Sequence, residues 1–290
     1  MFEYDFMVRA LIGVTMTGLI APAIGIYLVQ RRLSLIGDGL GHVALTGVGV
    51  GLLLNQQPVL MAVIVAALGA VAVELVRERG RTSGDVALAI LFYGGISGGV
   101  VLVSMSSNAS GSNLMSYLFG SPLTASKNDL YVTAGLAAAV LAVTLLLRPW
   151  LFAVCQDEEH ARVSGVPVRL LNLALAVAAA VTVTAAMRTV GLLLVSALMV
   201  IPVATAQQVS RGFTATMVGA MALGVAASAG GLWTAWKIDS APGATIVLVA
   251  IGGFVVVTIA AAARARLSRL MARTPAGPEP TDDPECVLHS

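Results

Sequence analysis

The chain has 290 residues, of which 58% are hydrophobic and only 11% are charged, with 17 basic and 15 acidic side chains for a net charge of +2. A soluble domain carries roughly 25% charged residues, so this chain has too few charges to cover a surface that faces water. Its mean hydropathy of +0.91 agrees with that deficit. The composition excludes an ordinary soluble protein and indicates an integral membrane protein surrounded by lipid.

Nine stretches are apolar and long enough for a helix to cross a bilayer, which takes about 20 residues. They are 8–30, 35–54, 58–76, 86–104, 129–147, 170–187, 190–208, 213–236 and 241–262. A further apolar stretch, 112–123, is too short to cross and is expected to form a re-entrant or interfacial helix. The predicted fold is all-α and polytopic, with nine transmembrane helices in one domain over 1–273. Eight is the alternative, because 35–54 begins with polar residues and glycines.

The basic residues predict the orientation of these spans. With the N-terminus outside and the spans alternating in direction, 13 of the 17 basic residues lie on the cytoplasmic side, as the positive-inside bias requires. The start of the chain is acidic, unlike a cleavable signal peptide, so the first span should be retained. We predict a multi-pass protein of the plasma membrane with its C-terminus in the cytoplasm. Residues 274–290, rich in proline and acidic residues, should form a disordered tail there.

Two ionisable side chains lie four residues apart inside the second span. Such residues are costly in a membrane and usually functional. Asp38 and His42 share one face of a helix, and a carboxylate with an imidazole suits zinc, manganese or ferrous iron. One chain offers two ligands, so a two-fold partner would complete a four-coordinate site. The spacing alone equally allows an Asp–His ion pair that ties helices together, or a helix N-cap at Asp38.

Small residues surround this pair at the four-residue spacing that lets helices approach closely. In the second span they are Gly37, Gly41, Gly47 and Gly51. The same spacing recurs twice within 94–99. Pro202 lies inside the seventh span, where it removes a backbone hydrogen bond and can kink the helix. We interpret all of these positions as sites of helix packing, with gating of a pathway as a second role.

The most charged run between spans, 157–165, is predicted to lie in the cytoplasm. Its acidic residues crowd the start of a short helix, where the helix dipole favours anions. They are Asp157, Glu158 and Glu159. Gly165 is placed to end the helix. A short helix that protrudes from a membrane domain is typical of a docking element for a cytoplasmic partner, and an ordinary solvated loop is the alternative.

Several functions are excluded by motifs that the sequence lacks. It has no GxxxxGK[ST] phosphate loop, so the chain does not hydrolyse ATP by that mechanism. It has no HExxH motif and only three histidines, which argues against a zinc-dependent membrane protease. The arginines follow the topology instead of forming a patch, so no nucleic acid is expected as a partner.

Four segments resemble, in order, the permeases of ATP-binding-cassette (ABC) importers for zinc, manganese and iron. They are RRLSLIGDGLGHVALTGVGVG (31–51), DEEHARVSGV (157–166), VGLLLVSALMVIPVATA (190–206) and KIDSAPGATIVLV (237–249). The first is similar to the family pattern R-x-M-S-L-x-G-D-A-L-S-H-A-x-L-P-G-V, from which it departs at Gly39, Gly41 and Thr46. The resemblance extends over nearly the whole chain, up to about residue 262.

The resemblance implies the permease of a type II ABC importer, working as a homodimer or paired permease. A cytoplasmic ABC ATPase subunit would bind the coupling helix and supply the energy for alternating access, and an extracytoplasmic metal-binding protein would deliver the cargo. No permanently bound cofactor is expected, only the transported divalent metal. Metal coordination maps onto Asp38 and His42. The contact with the ATPase maps onto Asp157, Glu158, Glu159, Ala161, Arg162 and Gly165. A metal chelate or cobalamin-like cargo, or an ATP-independent channel or carrier, are the alternatives.

Overall fold

The computed structural model describes residues 5–78, 84–106, 117–120, 127–187 and 190–271, and this part of the chain is helical with no β-strand. It contains eleven helices of six residues or more. They are α1 (Asp5–Gln30), α2 (Ile36–Leu53), α3 (Pro58–Glu78), α4 (Gly84–Met105), α5 (Lys127–Leu146), α6 (Arg148–Gln156), α7 (Glu158–Val163), α8 (Val168–Met187), α9 (Leu192–Val209), α10 (Phe213–Ile238) and α11 (Pro242–Met271).

Each of the nine predicted spans lies on one of these helices, which confirms the all-α, polytopic fold. Seven are long and apolar enough to cross a membrane: α1 to α4, α8, α10 and α11. The α5–α6 pair, bent by 64° at its break, would make an eighth span. The remaining predicted span lies on α9, an apolar helix of 18 residues that begins directly after Gly191, whose φ is 96°.

Two predicted segments lie outside the described residues. Of the short stretch 112–123 only residues 117–120 are described, and the tail 274–290 lies outside them entirely.

The helices differ in how much of their surface the protein covers. Many side chains of α1, α2, α8 and α9 are buried in the protein. By contrast, α3, α4 and α11 expose large apolar side chains such as Leu68, Tyr93 and Leu248. Exposed apolar surface on this scale is unusual for a protein in water. It fits helices whose outer faces contact lipid.

The second half of α2 lies directly against the backbone of α3. A Cβ built on Gly47 would come within 2.6 Å of the Cα of Ala62, and one on Gly51 within 2.7 Å of the Cα of Pro58. No side chain fits at either position without moving a backbone. These two glycines therefore lie at a helix contact, and a separate role in gating stays a prediction.

The first half of α2 packs against α9. A Cβ on Gly37 would lie 3.3 Å from the Cβ of Ser196, and one on Gly41 would lie 2.6 Å from Cδ1 of Leu192. The neighbours at this contact are side chains, which can adjust more easily than a backbone. At Gly37 and Gly41 the close neighbours of α2 are therefore side chains, whereas at Gly47 and Gly51 they include backbone atoms.

The fourth helix crosses α2 at His42. A Cβ on Gly95 would lie 2.6 Å from the carbonyl carbon of His42 and 2.7 Å from the backbone nitrogen of Val43. The hydroxyl of Thr46 donates a hydrogen bond of 2.8 Å to the carbonyl oxygen of Gly95. Close backbone contact and an interhelical hydrogen bond are the usual means by which helices associate in a bilayer.

The four ion pairs found among the described residues all lie at one end of the bundle, which we call the charged end. They are Arg31–Glu158, Arg77–Glu74, Arg162–Glu158 and Arg169–Glu78. The ends of α1 and α3 and the start of α8 meet here. Alternating spans place these three connections on the same side, the one predicted to be cytoplasmic.

At the opposite end, glycines with positive φ let two connections approach each other. Gly120 has a φ of 73° and Gly191 a φ of 96°, and a Cβ on either would lie 2.3 Å from the backbone of the other segment. A Cβ on Gly243 of α11 would lie within 2.9 Å of the carbonyl oxygens of both Phe119 and Val190. The predicted topology places all of these connections on the outer side.

We expect Gly95→Ala to destabilise the protein and Gly94→Ala to keep or slightly raise its stability. The methyl group added at Gly95 would meet the backbone of α2, whereas nothing lies within 4 Å of a Cβ on Gly94. Overpacking of this kind costs about 1–3 kcal/mol, and the two variants gain helix propensity equally. Thermal unfolding of each purified protein in detergent measures the difference. Equal unfolding temperatures would contradict the close contact between α2 and α4.

Candidate metal site and coupling helix

Asp38 lies in the first turn of α2 and does not cap it. The N-cap residue is Leu35, and Asp38 is the third residue of the helix. The unpaired N–H groups at a helix start favour a negative charge there. Ser196 of α9 donates a hydrogen bond from its Oγ to Oδ1 of Asp38. The carboxylate is therefore supported by two features, the helix end and one hydroxyl group.

His42 follows Asp38 by about one helical turn. The residue is buried, with 5% of its surface exposed, and its ring packs edge-on against Phe92 of α4 with the centroids 4.4 Å apart. Its Nδ1 atom has no hydrogen-bond partner among the described residues. Buried nitrogen atoms are normally partnered, so Nδ1 of His42 is an exception within the described part of the chain.

Asp38 and His42 offer a carboxylate and an imidazole without binding each other. The ion pairs of the described residues include none between these two side chains. Both groups are ligands that zinc, manganese and ferrous iron accept, and the hydroxyl of Ser196 adds a neutral oxygen. Within the described part of the chain, no group of three His, Cys, Asp or Glu side chains could hold a metal ion. A four-coordinate site would therefore need ligands from outside this set.

The sequence does not single out two neighbours of this pair, Ser196 and Phe92. Ser196 is the one polar side chain in the run GLLLVSALMVIP over 191–202. A lone hydroxyl group in an apolar helix could have marked it as a residue with a polar partner. Phe92 lies in an apolar span among other hydrophobic residues, so nothing in the pattern marks it.

The proline of the seventh span does not interrupt its helix. α9 continues through Pro202 to Val209. Pro202 lines a cavity of about 200 Å³ between α9, α10 and α11, in which Thr205 is the polar residue. A role of Pro202 in gating stays a prediction.

The start of α7 has the local structure that its sequence predicts. The side chain of Asp157 accepts a hydrogen bond of 2.9 Å from the backbone N–H of His160. An aspartate at the N-cap satisfies one of the donors that a helix start leaves unpaired. Glu158 and Glu159 follow in the first turn, where the helix dipole favours them.

Hydrogen bonds between neighbouring residues also define the end of α7. Gly165 has a φ of 80°, and its N–H donates to the carbonyl of Arg162 at 3.2 Å. The N–H of Val166 donates to the carbonyl of Ala161 at 3.0 Å. This pair of bonds, with glycine in the left-handed conformation, is a common way for helices to end.

The residues predicted to contact an ATPase lie on two faces of α7. The side chain of Ala161 is buried, at 2% exposure, whereas Val163 is 88% exposed. Glu159 and Arg162 are exposed as well, and Glu158 is half-buried. A partner that binds this helix as it stands would therefore meet the face with Glu159, Arg162 and Val163.

One buried arginine connects α7 to two other helices. Arg31, whose side chain is 7% exposed, pairs with Oε2 of Glu158 at 2.8 Å, and its Nη1 donates to Oδ1 of Asn172 in α8 at 2.6 Å. Glu158 also pairs with Arg162 at 3.3 Å. A cavity of about 770 Å³, lined mainly by charged and polar residues of α3, α7 and α8, lies beside this group. Neither Asp38 nor His42 lines that cavity.

The sequence predicts Arg31 only as a residue of a cytoplasmic loop and does not single out Asn172. Asn172 is the one side-chain amide in the span 170–187. A lone amide in an apolar helix indicates a buried polar contact, but the sequence does not indicate that Arg31 is its partner.

Comparison with known proteins identifies the family. Residues 3–261 match the ABC 3 transport family. The chain belongs to this family. The manganese transport system membrane protein MntC of Halalkalibacterium halodurans is 32% identical over 251 residues, which cover 86% of this chain and 85% of that protein. The chelated iron transport system membrane protein YfeD of Yersinia pestis is 33% identical over 258 residues, which cover 89% and 86%.

The fold of this ABC 3 family member also matches a solved structure. In PsaBC from Streptococcus pneumoniae in complex with Fab, one chain superimposes with a TM-score of 0.78 at 27% identity, over 88% of this chain and 92% of that one. The resemblance predicted from the sequence is thus confirmed. The relatives are membrane proteins of transport systems, in agreement with a multi-pass transport permease that is not itself an enzyme.

We expect Asp157→Ala to loosen α7 and Asp157→Ser to preserve it, because serine can still accept the bond from His160. Loss of an N-cap costs about 1 kcal/mol, which corresponds to roughly fivefold more frequent opening of the helix. Hydrogen exchange at the His160 amide, measured by mass spectrometry, reports this opening. Unchanged exchange in Asp157→Ala would show that packing of Ala161, and not the cap, holds the helix.

Proposed function

We propose that this chain is the permease subunit of an ABC transporter that imports a divalent transition metal ion, namely zinc, manganese or iron, by ATP-driven alternating access. Membership in the ABC 3 transport family supports the class of protein. The observation that carries the choice of a metal cargo is the pair Asp38 and His42, with the buried Nδ1 of His42 unpartnered among the described residues. Relatives named for manganese and for chelated iron point to the same cargo class.

The proposed site binds the ion only in passing. A second permease, related by a two-fold axis, would double the ligands to two carboxylates and two imidazoles. The negative charge of Asp38 offsets part of the charge of an ion that has given up water. The ion displaces the hydroxyl of Ser196 from Asp38 when it enters, and that bond re-forms when it leaves. Transport requires a site weak enough to release its ion, and Asp38, which has Ser196 as an alternative partner, meets this requirement.

The energy would come from a partner, because the chain has no phosphate-binding loop of its own. In this scheme, cytoplasmic ABC ATPase subunits bind the exposed face of α7. ATP binding draws the two α7 helices together and rocks the paired permeases against each other. An extracytoplasmic metal-binding protein delivers the ion to the opposite end of the bundle. The basic residues at the charged end support placing that end in the cytoplasm of the plasma membrane.

A chelated metal is the second candidate cargo, favoured by the name of the Yersinia pestis relative. A chelate would need a wide cavity instead of bare ligands. Free manganese or zinc competes with uptake of a bare ion and does not compete with uptake of a chelate, so a competition assay separates the two.

We expect Asp38→Asn and His42→Ala each to lower metal uptake at least tenfold. Asp38→Asn removes the negative charge, and His42→Ala removes the imidazole, so either change takes a ligand from each half of the site. The measurement is uptake of radioactive manganese or zinc in cells that lack their own importers and co-express the ATPase and the binding protein.

The control for this experiment is Asp5→Asn, a carboxylate at the exposed start of α1, which should leave uptake unchanged. Membrane levels of all variants are compared by immunoblot. Native uptake in His42→Ala at equal membrane level would reduce Asp38 and His42 to helix packing. No metal uptake by the native protein would favour the chelate.

A further inference from the structure

Arg31 directly follows the last residue of α1, and among the described residues its side chain makes the ion pair that connects this end of α1 to α7. Its two terminal nitrogens bind different helices, Glu158 of α7 at 2.8 Å and Asn172 of α8 at 2.6 Å. The planar guanidinium group suits such a double contact, because its donors have fixed directions. The Arg31 side chain is 7% exposed and that of Glu158 39% exposed, so the arginine end of the pair is the part that is shielded from solvent.

The segment between Arg31 and α2 is a hydrogen-bonded turn and not a slack loop. Arg32 has a φ of 58°, its N–H donates to the carbonyl of Val29 at 3.1 Å, and the N–H of Leu33 donates to the carbonyl of Leu28 at 2.8 Å. The N–H of Ile36, the first residue of α2, then donates to the carbonyl of Leu33 at 3.0 Å. Backbone hydrogen bonds therefore connect the end of α1 to the first residue of α2.

These contacts form a continuous path from the coupling helix to the candidate metal site. It runs from Glu158 through Arg31 and the turn to the first residues of α2, where Asp38 lies seven positions after Arg31. The start of α2 packs against side chains of α9, whereas its second half packs against the backbone of α3. The α4 backbone lies against α2 at His42 and Val43, so the first turn, which precedes this crossing and carries Asp38, is the part of α2 whose closest neighbours at Gly37 and Gly39 are side chains.

We propose that Arg31 is a positioning residue that transmits the movement of α7 to the start of α2, and thereby links ATP binding by the partner to the geometry at Asp38. This inference rests on the proposed function as an ATP-driven permease. The Arg31–Glu158 pair would transmit movement, whereas the more exposed Arg169–Glu78 pair would not. The N–O distances of the two pairs are nearly equal, at 2.8 and 2.9 Å. The ion pair of Arg169 joins α8 to α3.

The test compares Arg31→Met with Arg169→Met in the complete transporter. Permease, ATPase subunit and binding protein are reconstituted in liposomes, and manganese or zinc import is measured together with ATP hydrolysis. We expect the ATPase to co-purify with Arg31→Met while the number of ions imported per ATP falls about tenfold. Arg31→Lys, which keeps the charge but cannot hold both partners in the same geometry, should be intermediate, and Arg169→Met should match the native ratio.

A second pair of variants separates transmission from loss of the fold. Glu158→Gln, at a half-exposed position, should lower the same ratio, and Arg31→Met with Glu158→Gln should lower it no further than Arg31→Met alone. A native number of ions per ATP in Arg31→Met would overturn the proposal. Loss of the ATPase from the purified Arg31→Met complex would also overturn it, because the pair would then serve docking.

A distance measurement tests the proposal without reference to the cargo. In a Cys155→Ser and Cys286→Ser background, a spin label is placed at Leu35 or at Val163, which are 68% and 88% exposed. Label-to-label distances across the paired permeases are measured with and without ATP. In Arg31→Met the change at Val163 should persist and the change at Leu35 should fall by at least half. A native change at Leu35 would overturn the proposal, while failure of the native complex to import either ion would contradict the proposed function instead.

Discussion

The close approach of α2 and α4 is the constraint on which the candidate metal site depends. Gly95 lets the backbone of α4 lie against that of α2 at His42, and the bond from Thr46 to the Gly95 carbonyl fixes the two helices in register. Between lipid-surrounded helices there is no hydrophobic driving force, so small residues and interhelical hydrogen bonds must supply the contact. The crossing also sets the position of Phe92 against the ring of His42.

On this scaffold, α2 carries two polar side chains into a largely apolar interior. The carboxylate of Asp38 is supported by the helix start and by Ser196, whereas Nδ1 of His42 has no partner in the described residues. A carboxylate whose hydroxyl partner can be replaced suits the proposed passage of an ion, which must be held and then released.

Different kinds of contact hold the two ends of the bundle together. The charged end holds the ion pairs of the described residues and the capped helix α7, and the opposite end holds connections packed through Gly120 and Gly191. Ion pairs with buried partners make discrete contacts that can pass on a displacement, as proposed for Arg31. At the opposite end, close backbone contacts at Gly120 and Gly191 hold the two connections against each other. Under the proposed function, the first end meets the ATPase and the second meets the binding protein.

Local features of the chain could be predicted from the sequence alone. The spans follow from hydropathy summed over about 20 residues. The bounds of α7 follow from Asp157 and Gly165, whose hydrogen bonds with His160 and Arg162 join residues three apart. The pairing of helix faces was decided only by the tertiary structure. Ser196 reaches Asp38 over 158 positions, and Arg31 reaches Glu158 over 127. Helices that are apolar on every side carry no periodic signal of which face turns inward, so these contacts depend on how the whole bundle packs.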